Sequence, residues 1–258
     1  MDNLKALFRP TDILAVSFPK SGNTWTRMIY ANIMRELFGL EEINLVNLND
    51  LLPEYIFQLQ ATHENLRNMR WTYDVPRLVK THERYTNIFE NLSCIFIVRN
   101  PKDVMISYYY YEKAKKQSYP GDLTAFIRDP RFGIEAWIRH TESWLTNRNK
   151  LCAFEIFRYE EMKESPVRYV KIMLDLMGAR LSDEQIDRVI ERSSFENTRR
   201  LEEKYGLGRY NVFHDSFRFT RDGSVNQWIR EMNEEQIRYI DEMIAGNRLV
   251  SEFLGGVI

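Results

Sequence analysis

A short run of small and polar residues follows the first apolar segment of the chain. Residues 13–18 are largely apolar, residues 19–24 read Pro-Lys-Ser-Gly-Asn-Thr, and apolar side chains at helical spacing continue from 25 to 38. Backbone N–H groups at a helix start bind phosphate-like anions when small residues allow close approach. Lys20 adds a positive charge. The pattern predicts an anion site, with an ordinary strand-to-helix turn and a solvated lysine as the alternative.

A second polar cluster follows another apolar run, residues 93–98. Pro101 suits a first helical position and Asp103 a first turn, which leaves Arg99 at the carboxyl end of a strand. Ligands of open α/β sheets bind at that edge. Taken alone, the cluster favours an Arg99–Asp103 surface pair, and only the first loop makes a ligand site the preferred interpretation.

The elements that must position these residues alternate along the chain. Short apolar runs followed by longer helical patterns predict an α/β fold, a single domain over residues 1–258 with a central parallel sheet flanked by helices. After residue 182, where Ser182 is a candidate N-cap, the pattern is mostly helical. The predicted strands are residues 13–18, 77–80, 93–98 and 152–157, and residues 206–218 are a predicted loop.

Composition narrows the class of protein. The chain has 258 residues, 44% of them hydrophobic, and a formal net charge of −1. This size supports a folded core, and the neutral balance argues against nucleic acid as a partner. No run approaches the about 18 apolar residues of a membrane helix, and the start carries no apolar signal core, so we expect a cytoplasmic protein without membrane insertion. Cys94 and Cys152 both lie in apolar runs and are predicted to be buried free thiols.

Read together, these segments resemble the cytosolic sulfotransferase family, which moves a sulfuryl group from 3′-phosphoadenosine 5′-phosphosulfate (PAPS) to an acceptor. Residues 17–25 are similar to that family's 5′-phosphosulfate loop, which is P-loop-like, and residues 98–107 are similar to its 3′-phosphate segment. Further similar stretches cover residues 78–82, 157–163, 193–195 and 221–223, so the resemblance extends over nearly the whole chain.

The resemblance implies a set of nucleotide-binding residues. Lys20 would contact the bridging oxygen of PAPS, the rest of its loop would hold the 5′-phosphate, and three aromatic side chains would enclose the adenine. The implied set comprises Lys20, Ser21, Gly22, Asn23 and Thr24 in the loop, Arg99, Ser107, Arg221 and Gly223 at the 3′-phosphate, and Trp25, Tyr159, Ser194 and Phe195 around the adenine.

The same resemblance implies the catalytic roles. His82 is the candidate general base, because an unperturbed imidazole can accept the acceptor's proton near neutral pH. Lys80, two residues earlier, would stabilise charge on the sulfuryl oxygens. Ser107 is expected beside the 3′-phosphate and not as a nucleophile. The transfer would need no metal, and the sequence shows no His/Cys/carboxylate spacing typical of a ligand set.

Several features depart from the family pattern or favour plain packing. Asp222 replaces a basic residue beside the 3′-phosphate site, so Arg209 or Arg218 would have to compensate. The usual dimerisation motif is not recognisable in residues 231–235.

Residues 199–204 mix charges and predict a solvated helix face. Packing is expected for most of the tyrosines at 108–111, and it is the favoured alternative to pocket lining for Trp137 and His140.

The sequence thus predicts a transferase, PAPS as sulfuryl donor with the bisphosphate PAP as product, and a small-molecule acceptor with a hydroxyl group. A nucleotide kinase is the rival enzyme, but it would need Walker spacing and an acidic magnesium ligand after a strand. A non-catalytic nucleotide-binding module is the rival of another class. The presence of His82 beside the basic residues argues against it, because a binder has no use for a base.

Overall fold

The computed structural model describes residues 2–207, 213–214 and 217–255. Five strands alternate with helices along the chain, as the periodicity predicts. The strands are β1 (Ile13–Ser17), β2 (Glu54–Tyr55), β3 (Leu78–Thr81), β4 (Ser93–Val98) and β5 (Ala153–Arg158). The helices are α1 (Asp2–Lys5), α2 (Asn23–Phe38), α3 (Leu48–Leu51), α4 (Gln60–Asn68), α5 (Pro101–Lys113), α6 (Leu123–Arg128), α7 (Ile134–Asn147), α8 (Tyr159–Glu164), α9 (Pro166–Met177), α10 (Asp183–Arg192), α11 (Phe195–Tyr205), α12 (Trp228–Glu231), α13 (Glu234–Ala245) and α14 (Arg248–Leu254).

The strands form one parallel sheet in the order β2-β3-β1-β4-β5. Four of them confirm the predicted strands to within one residue at either end. The edge strand β2 is absent from the predictions because two residues carry no periodic signal. It matters for the site, since Glu54 lies beside Lys80 in the register of β2 and β3. The α/β architecture with a central parallel sheet is therefore confirmed.

Helices cover both faces of the sheet, and alternate residues of each strand supply two apolar cores. On β1, Leu14 and Val16 belong to one core, while Ile13 and Ala15 belong to the other. A sheet buried on both faces explains why its strands read as continuous apolar runs. None of the described helices is long and apolar enough to span a bilayer.

The prediction of a buried thiol is wrong for Cys152. Cys94 is a buried free thiol, as expected, but Cys152 is exposed, and its thiol donates to the carbonyl of Asn91 at 3.0 Å. The apolar run around it includes Leu151, which lies in the turn before β5 begins at Ala153. Cys152 therefore precedes the strand and does not point into the core.

The sheet direction fixes where the functional residues meet. The carboxyl ends of parallel strands share one edge. The first loop (residues 19–24) follows β1, His82 follows β3, Arg99 follows β4 and Tyr159 follows β5. Residues that are up to 139 positions apart are thereby gathered at one edge of the sheet.

Candidate functional site

The first loop leads directly into α2 and leaves that helix without a side-chain cap. Gly22 is the N-cap residue with φ of 107°, and no side chain accepts from the N–H groups behind it. A Cβ at Gly22 would lie 2.7 Å from the ring of Tyr159, so a larger residue would clash there. The Oγ atom of Ser21 is buried without a hydrogen-bond partner among the described residues. The loop thus offers unused donors, which suits a phosphate-like anion.

Lys20 lies in the left-handed region with φ of 68°, which is unusual for a residue with a side chain. Its ammonium is placed between two aromatic rings, 4.5 Å from the centroid of Tyr111 and 4.4 Å from that of Phe219. Burial, together with the positive charges of Arg99, Arg221 and Lys80, lowers the pKa of Lys20 to about 7. A bound anion would oppose that shift, because its negative charge favours the protonated ammonium.

The side-chain amide nitrogen of Asn23 donates its hydrogen bonds to β1. Its Nδ2 donates to the carbonyl of Ala15 at 2.9 Å and to Ser17 Oγ at 3.2 Å, tying the loop back to β1. Its Oδ1 atom has no partner among the described residues. The half-buried Thr24 lies in the first turn of α2. Asn23 therefore shapes the loop, and its side-chain amide is not free to donate to an anion.

His82 is oriented by the end of the neighbouring strand. Its Nδ1 lies 2.7 Å from the carbonyl oxygen of Ser17, which can only accept, so Nδ1 carries the proton. The lone pair is then on Nε2. Burial and the nearby charge of Lys80 lower the pKa of His82 well below 6.5, against the raising effect of the Ser17 hydrogen bond. The imidazole is neutral at pH 7 and has one basic nitrogen.

Lys80 pairs with a carboxylate that no sequence pattern predicts. Its Nζ lies 2.9 Å from Glu54 Oε2 on β2. Burial lowers the pKa of Lys80, and the pair opposes this shift. Burial alone would raise the pKa of Glu54, but the charge of Lys80 brings it below its usual value. Lys80 is close enough to lower the pKa values of both Lys20 and His82, yet its own charge is already partly balanced by Glu54.

Arg99 is held at the end of β4 by three different contacts. Its Nη2 donates to the carbonyl of Ser224 at 2.7 Å and lies 3.6 Å from Asp103 Oδ2, while its guanidinium stacks 4.4 Å from the Tyr159 ring centroid. The Nε atom is buried without a partner among the described residues. Arg99 and Asp103 do pair, but the pair is buried, so the alternative of a surface pair is wrong about its position. The unused Nε–H remains a donor for an anion.

Asp103 has a second role that its position in the first turn of α5 does not reveal. Its side chain is fully buried, and it accepts from the backbone N–H groups of Asn226 at 2.8 Å and Trp228 at 3.1 Å. A carboxylate at the start of α5 therefore anchors a segment more than 120 residues later in the chain. The segment of residues 219–228 is fixed against α5 by this tie.

An aromatic cluster lies between this segment and the first loop. Tyr159 contacts Trp25 edge to face at 5.6 Å, and its hydroxyl donates to the carbonyl of Gly223 at 2.9 Å. Gly223 has φ of 70°, and a Cβ there would lie 2.6 Å from the ring of Phe195. The adenine-enclosing residues implied by the resemblance are thus gathered. Ser194 is the N-cap of α11 and accepts from the N–H of Asn197 at 3.1 Å.

Glu202 is a site residue that the sequence reasoning missed. The prediction of a solvated face for residues 199–204 is wrong at this position, because Glu202 is buried. It accepts from the backbone N–H of Phe219 at 2.6 Å and of Thr220 at 2.9 Å, and from the Thr220 hydroxyl. The mixed-charge run has no signal that distinguishes Glu202 from the exposed Glu203. Glu202 fixes the segment immediately before Arg221.

Asp222, which stands where the family pattern has a basic residue, has its charge balanced by neighbouring groups. Asp222 accepts from Ser224 and pairs with Arg230, so its charge is balanced within the 219–228 segment and α12. Arg221 stacks on Tyr110 at 4.3 Å and lies 3.7 Å from Glu231. Of the two bases expected to compensate for Asp222, Arg218 lines the cavity described below, and Arg209 lies outside the described residues.

A cavity of about 470 Å³ opens between the first loop, α5 and α11. Its lining includes Lys20, Ser107 and Arg221 together with Tyr110 and Tyr111. Two of the four consecutive tyrosines therefore face a cavity, in keeping with their helical geometry. Trp137 and His140 are buried, and His140 packs against Phe18 at 5.8 Å and Phe96 at 6.2 Å. Burial and the charge of Arg84 lower the pKa of His140 to about 3.

The chain matches a known protein family over almost its whole length. A sequence model described as the sulfotransferase domain matches residues 10–253. Sulfotransferase 1A1 of Mus musculus is 26% identical over 247 residues, which are 90% of this chain and 82% of that protein. Flavonol 3-sulfotransferase of Flaveria bidentis is 29% identical over 257 residues, covering 91% of this chain and 81% of that protein.

Solved structures share the fold. A retinol dehydratase in complex with androsterone and inactive cofactor PAP superposes with a TM-score of 0.75 at 19% identity, covering 95% of this chain and 82% of that one. Mouse sulfotransferase SULT7A1 complexed with PAP gives a TM-score of 0.72 at 21% identity, covering 99% of this chain and 93% of that one. Both comparisons concern the same arrangement of sheet and helices described above.

Proposed function

The chain belongs to the sulfotransferase domain family, and from this membership we propose that it transfers a sulfuryl group from PAPS to the hydroxyl of a small-molecule acceptor, with His82 as general base. The relative from Flaveria bidentis is named for a small-molecule acceptor, and two structural neighbours hold PAP. We place the reaction in the cytoplasm on the strength of the resemblance to the cytosolic sulfotransferases.

The single observation that carries the role of His82 is its hydrogen bond to Ser17. A backbone carbonyl fixes the proton on Nδ1 and leaves the lone pair on Nε2. The low pKa keeps this nitrogen free at neutral pH. His82 can therefore take the proton of an acceptor hydroxyl as its oxygen attacks sulfur. The orientation of the base comes from the end of β1, which also begins the first loop.

The nucleotide-binding residues fit a doubly phosphorylated donor. Among the described residues, Ser21 Oγ in the first loop and Arg99 Nε after β4 are buried donors without partners. Buried polar groups without partners are costly, and phosphate oxygens would satisfy both of these. We assign the first loop to the 5′-phosphate end and Arg99, Ser107, Arg221 and Gly223 to the 3′-phosphate end.

When bound, PAPS supplies the sulfuryl group, whose bond to the phosphate oxygen breaks as the bond to the acceptor oxygen forms. Lys20 stabilises the negative charge on the departing phosphate, and Lys80 contributes positive potential from β3. Positioning and electrostatics carry the rate enhancement, so the chain's residues need form no covalent bond to the sulfuryl group.

The proposal is tested with radiolabelled sulfuryl transfer and with thermal stability in the presence of nucleotides. PAP should raise the melting temperature by ligand linkage, whereas ATP with magnesium should do much less. Equal stabilisation by the two nucleotides would favour a kinase-like site. Sulfuryl transfer to any acceptor would exclude a non-catalytic binding module.

The variant His82→Asn removes the basic nitrogen but keeps the contact with β1, because the asparagine amide can still donate to the Ser17 carbonyl. We expect kcat/KM to fall by about 10²- to 10⁴-fold with an alcohol acceptor, while PAP affinity stays unchanged. The loss should be much smaller with an acidic phenol, which is already ionised. The matched variant Lys20→Met should lose both turnover and PAP affinity. Equal losses with both acceptors in His82→Asn would remove His82 from the role of base.

A further inference from the structure

The cavity beside Lys20 contains more positive charge than the nucleotide site accounts for. Among the thirteen described residues that line it, five are lysine or arginine and none is aspartate or glutamate. Lys20 and Arg221 belong to the proposed nucleotide site. The other three cations are Lys113, Arg199 and Arg218.

Three other cations of the candidate site have a carboxylate closer than any that these three have among the described residues. Lys80 pairs with Glu54, Arg99 with Asp103, and Arg221 lies 3.7 Å from Glu231. By contrast, the hydrogen bond that the Nζ of Lys113 makes within the described part of the chain is to a neutral group, the carbonyl of Tyr119, at 3.1 Å. Arg218 makes no ion pair with any residue that the structure describes.

Arg199 has the weakest carboxylate contact of the set. Its Nε lies 3.9 Å from Glu203 Oε1, on the exposed side of α11. Solvent-exposed pairs at this separation are worth little. The guanidinium therefore stays available to a charged group in the cavity, which it also lines.

The position of Lys113 sets it apart from the 3′-phosphate end. Arg99 precedes the first residue of α5, Ser107 lies near the middle of the helix, and Lys113 is its last residue. Six residues of helix span about 9 Å, so Lys113 lies well beyond Ser107 and away from Arg99. The backbone N–H of His214 donates to the Ala114 carbonyl at 3.0 Å, so two residues of the cavity lining are joined next to the end of α5.

We propose that the acceptor carries an anionic group in addition to its hydroxyl, and that Lys113, Arg199 and Arg218 bind this group. The inference rests on the proposed sulfuryl transfer and specifies its substrate class. A carboxylate or another oxyanion of the acceptor would interact with the three cations, and its hydroxyl would reach toward His82. Tyr110 and Tyr111 on α5 provide aromatic lining between the two ends.

The test compares two acceptors that differ only in charge, para-hydroxyphenylpropionate and its primary amide. The aliphatic spacer keeps the reactivity of the phenol nearly equal in the two. At low salt we expect kcat/KM to be about tenfold higher for the carboxylate, since unit charges a few ångströms apart near a protein surface interact strongly. About 0.5 M NaCl should reduce this preference, because it shortens the screening length.

The double variant Lys113→Gln/Arg218→Gln should reduce the preference to about twofold or less. Arg200→Gln is the matched control, because Arg200 is on α11 next to Arg199 but lies 3.6 Å from Glu42 and does not line the cavity. It should keep the full preference. PAP affinity should be the same in all variants.

Three outcomes would overturn the inference. One is equal or higher kcat/KM for the amide, and another is an unchanged preference in the double variant. The third is weaker PAP binding by the double variant, which would assign these cations to the nucleotide. If neither acceptor is turned over, their dissociation constants for the PAP-saturated protein give the same comparison, and equal values would overturn it. Failure of the proposed function is distinct, because PAP would then give no stabilisation.

Discussion

The two segments that enclose the candidate nucleotide site are built in opposite ways. The first loop joins β1 to α2, and its shape follows from residues next to it in the chain, such as Gly22 and the Asn23 amide that bonds back to Ala15. The 219–228 segment is held by side chains from distant elements. Asp103 binds its end and Glu202 binds its beginning.

The two segments should therefore respond differently to substitutions elsewhere in the chain. The local loop is fixed whenever β1 and α2 form, because its geometry needs few remote contacts. The 219–228 segment depends on buried carboxylates, each of which satisfies two or more donors. Single substitutions far from it in sequence should release it, while the first loop should tolerate changes elsewhere. The stability of the whole nucleotide site is therefore limited by the 219–228 segment.

The largest expected effect comes from Asp103→Ala, which would break the long-range tie. It leaves Arg99 buried without its carboxylate and frees two backbone N–H groups, so we expect a loss of about 3 kcal/mol in the free energy of unfolding. PAP affinity should fall by at least about tenfold. Chemical denaturation and calorimetry measure the two effects.

The matched control is Glu235→Ala, which removes the carboxylate partner of Arg128. Both side chains of that pair are exposed and neither belongs to the 219–228 segment, so the loss should stay within about 1 kcal/mol and PAP affinity should not change. Asp103→Asn, which keeps one acceptor oxygen, should fall between the two. Unchanged PAP affinity in Asp103→Ala would mean that the tie does not matter for the site.

A smaller effect is expected where the two segments are alike, in the glycines that approach aromatic rings. An alanine Cβ would lie 2.7 Å from Tyr159 at Gly22 and 2.6 Å from Phe195 at Gly223, and both positions have positive φ. Gly178→Ala controls for backbone strain alone, because Gly178 has φ of 65° and nothing within 4 Å of a Cβ. Its cost should be about 1 kcal/mol.

Gly22→Ala and Gly223→Ala should each cost about 1–2 kcal/mol more than the control and should weaken PAP binding, which Gly178→Ala should not. Thermal unfolding with and without PAP measures both quantities. If the two site variants behave like the control, the rings move aside easily, and the close approach of backbone to aromatic ring has no role in the site.

The smallest expected effect is the uptake of a proton when PAP binds. With a pKa of about 7, Lys20 is mostly neutral at pH 8 in the free protein, and a bound anion should restore its charge. PAP binding at pH 8 should therefore take up close to one proton, measured by calorimetry in buffers of different ionisation enthalpy. Lys20→Met should show almost no uptake.

The same shift makes folding pH-dependent. The pKa of Lys20 lies below its unfolded value of 10.5, so the unfolded chain binds more protons between about pH 7 and 10.5. In that window the contribution of Lys20 to stability increases with pH, and the destabilisation is fully present below about pH 7. Proton release on PAP binding, or equal uptake in Lys20→Met, would contradict this account of the first loop.

The comparison also explains what the sequence could reveal. The strands, the first loop and the start of α5 are local patterns, and the structure has them within one or two residues of the predicted positions. The grouping of Lys20, Lys80, Arg99 and Arg221 follows from parallel strands sharing one edge and from the family resemblance.

Long-range side-chain contacts were not predictable. Glu202 and Glu203 are neighbours in one charged run, yet only Glu202 is buried. Glu54 stands in a two-residue strand that no periodicity marks, although it balances the charge of Lys80. Cys152 looks apolar by context and is exposed. In each case the burial or pairing of the residue depends on which element packs against it, and local sequence patterns do not show this.

The backbone of Lys20 adds a constraint on how the chain can change. A left-handed lysine is strained relative to glycine, at a cost of about 1 kcal/mol or more. Glycine at position 20 would relieve this strain, at the expense of the side chain that we propose stabilises the departing phosphate. Any consensus or stability-guided redesign of this chain should hold position 20 fixed, because the substitution that scores best for the fold would remove the ammonium group from the site.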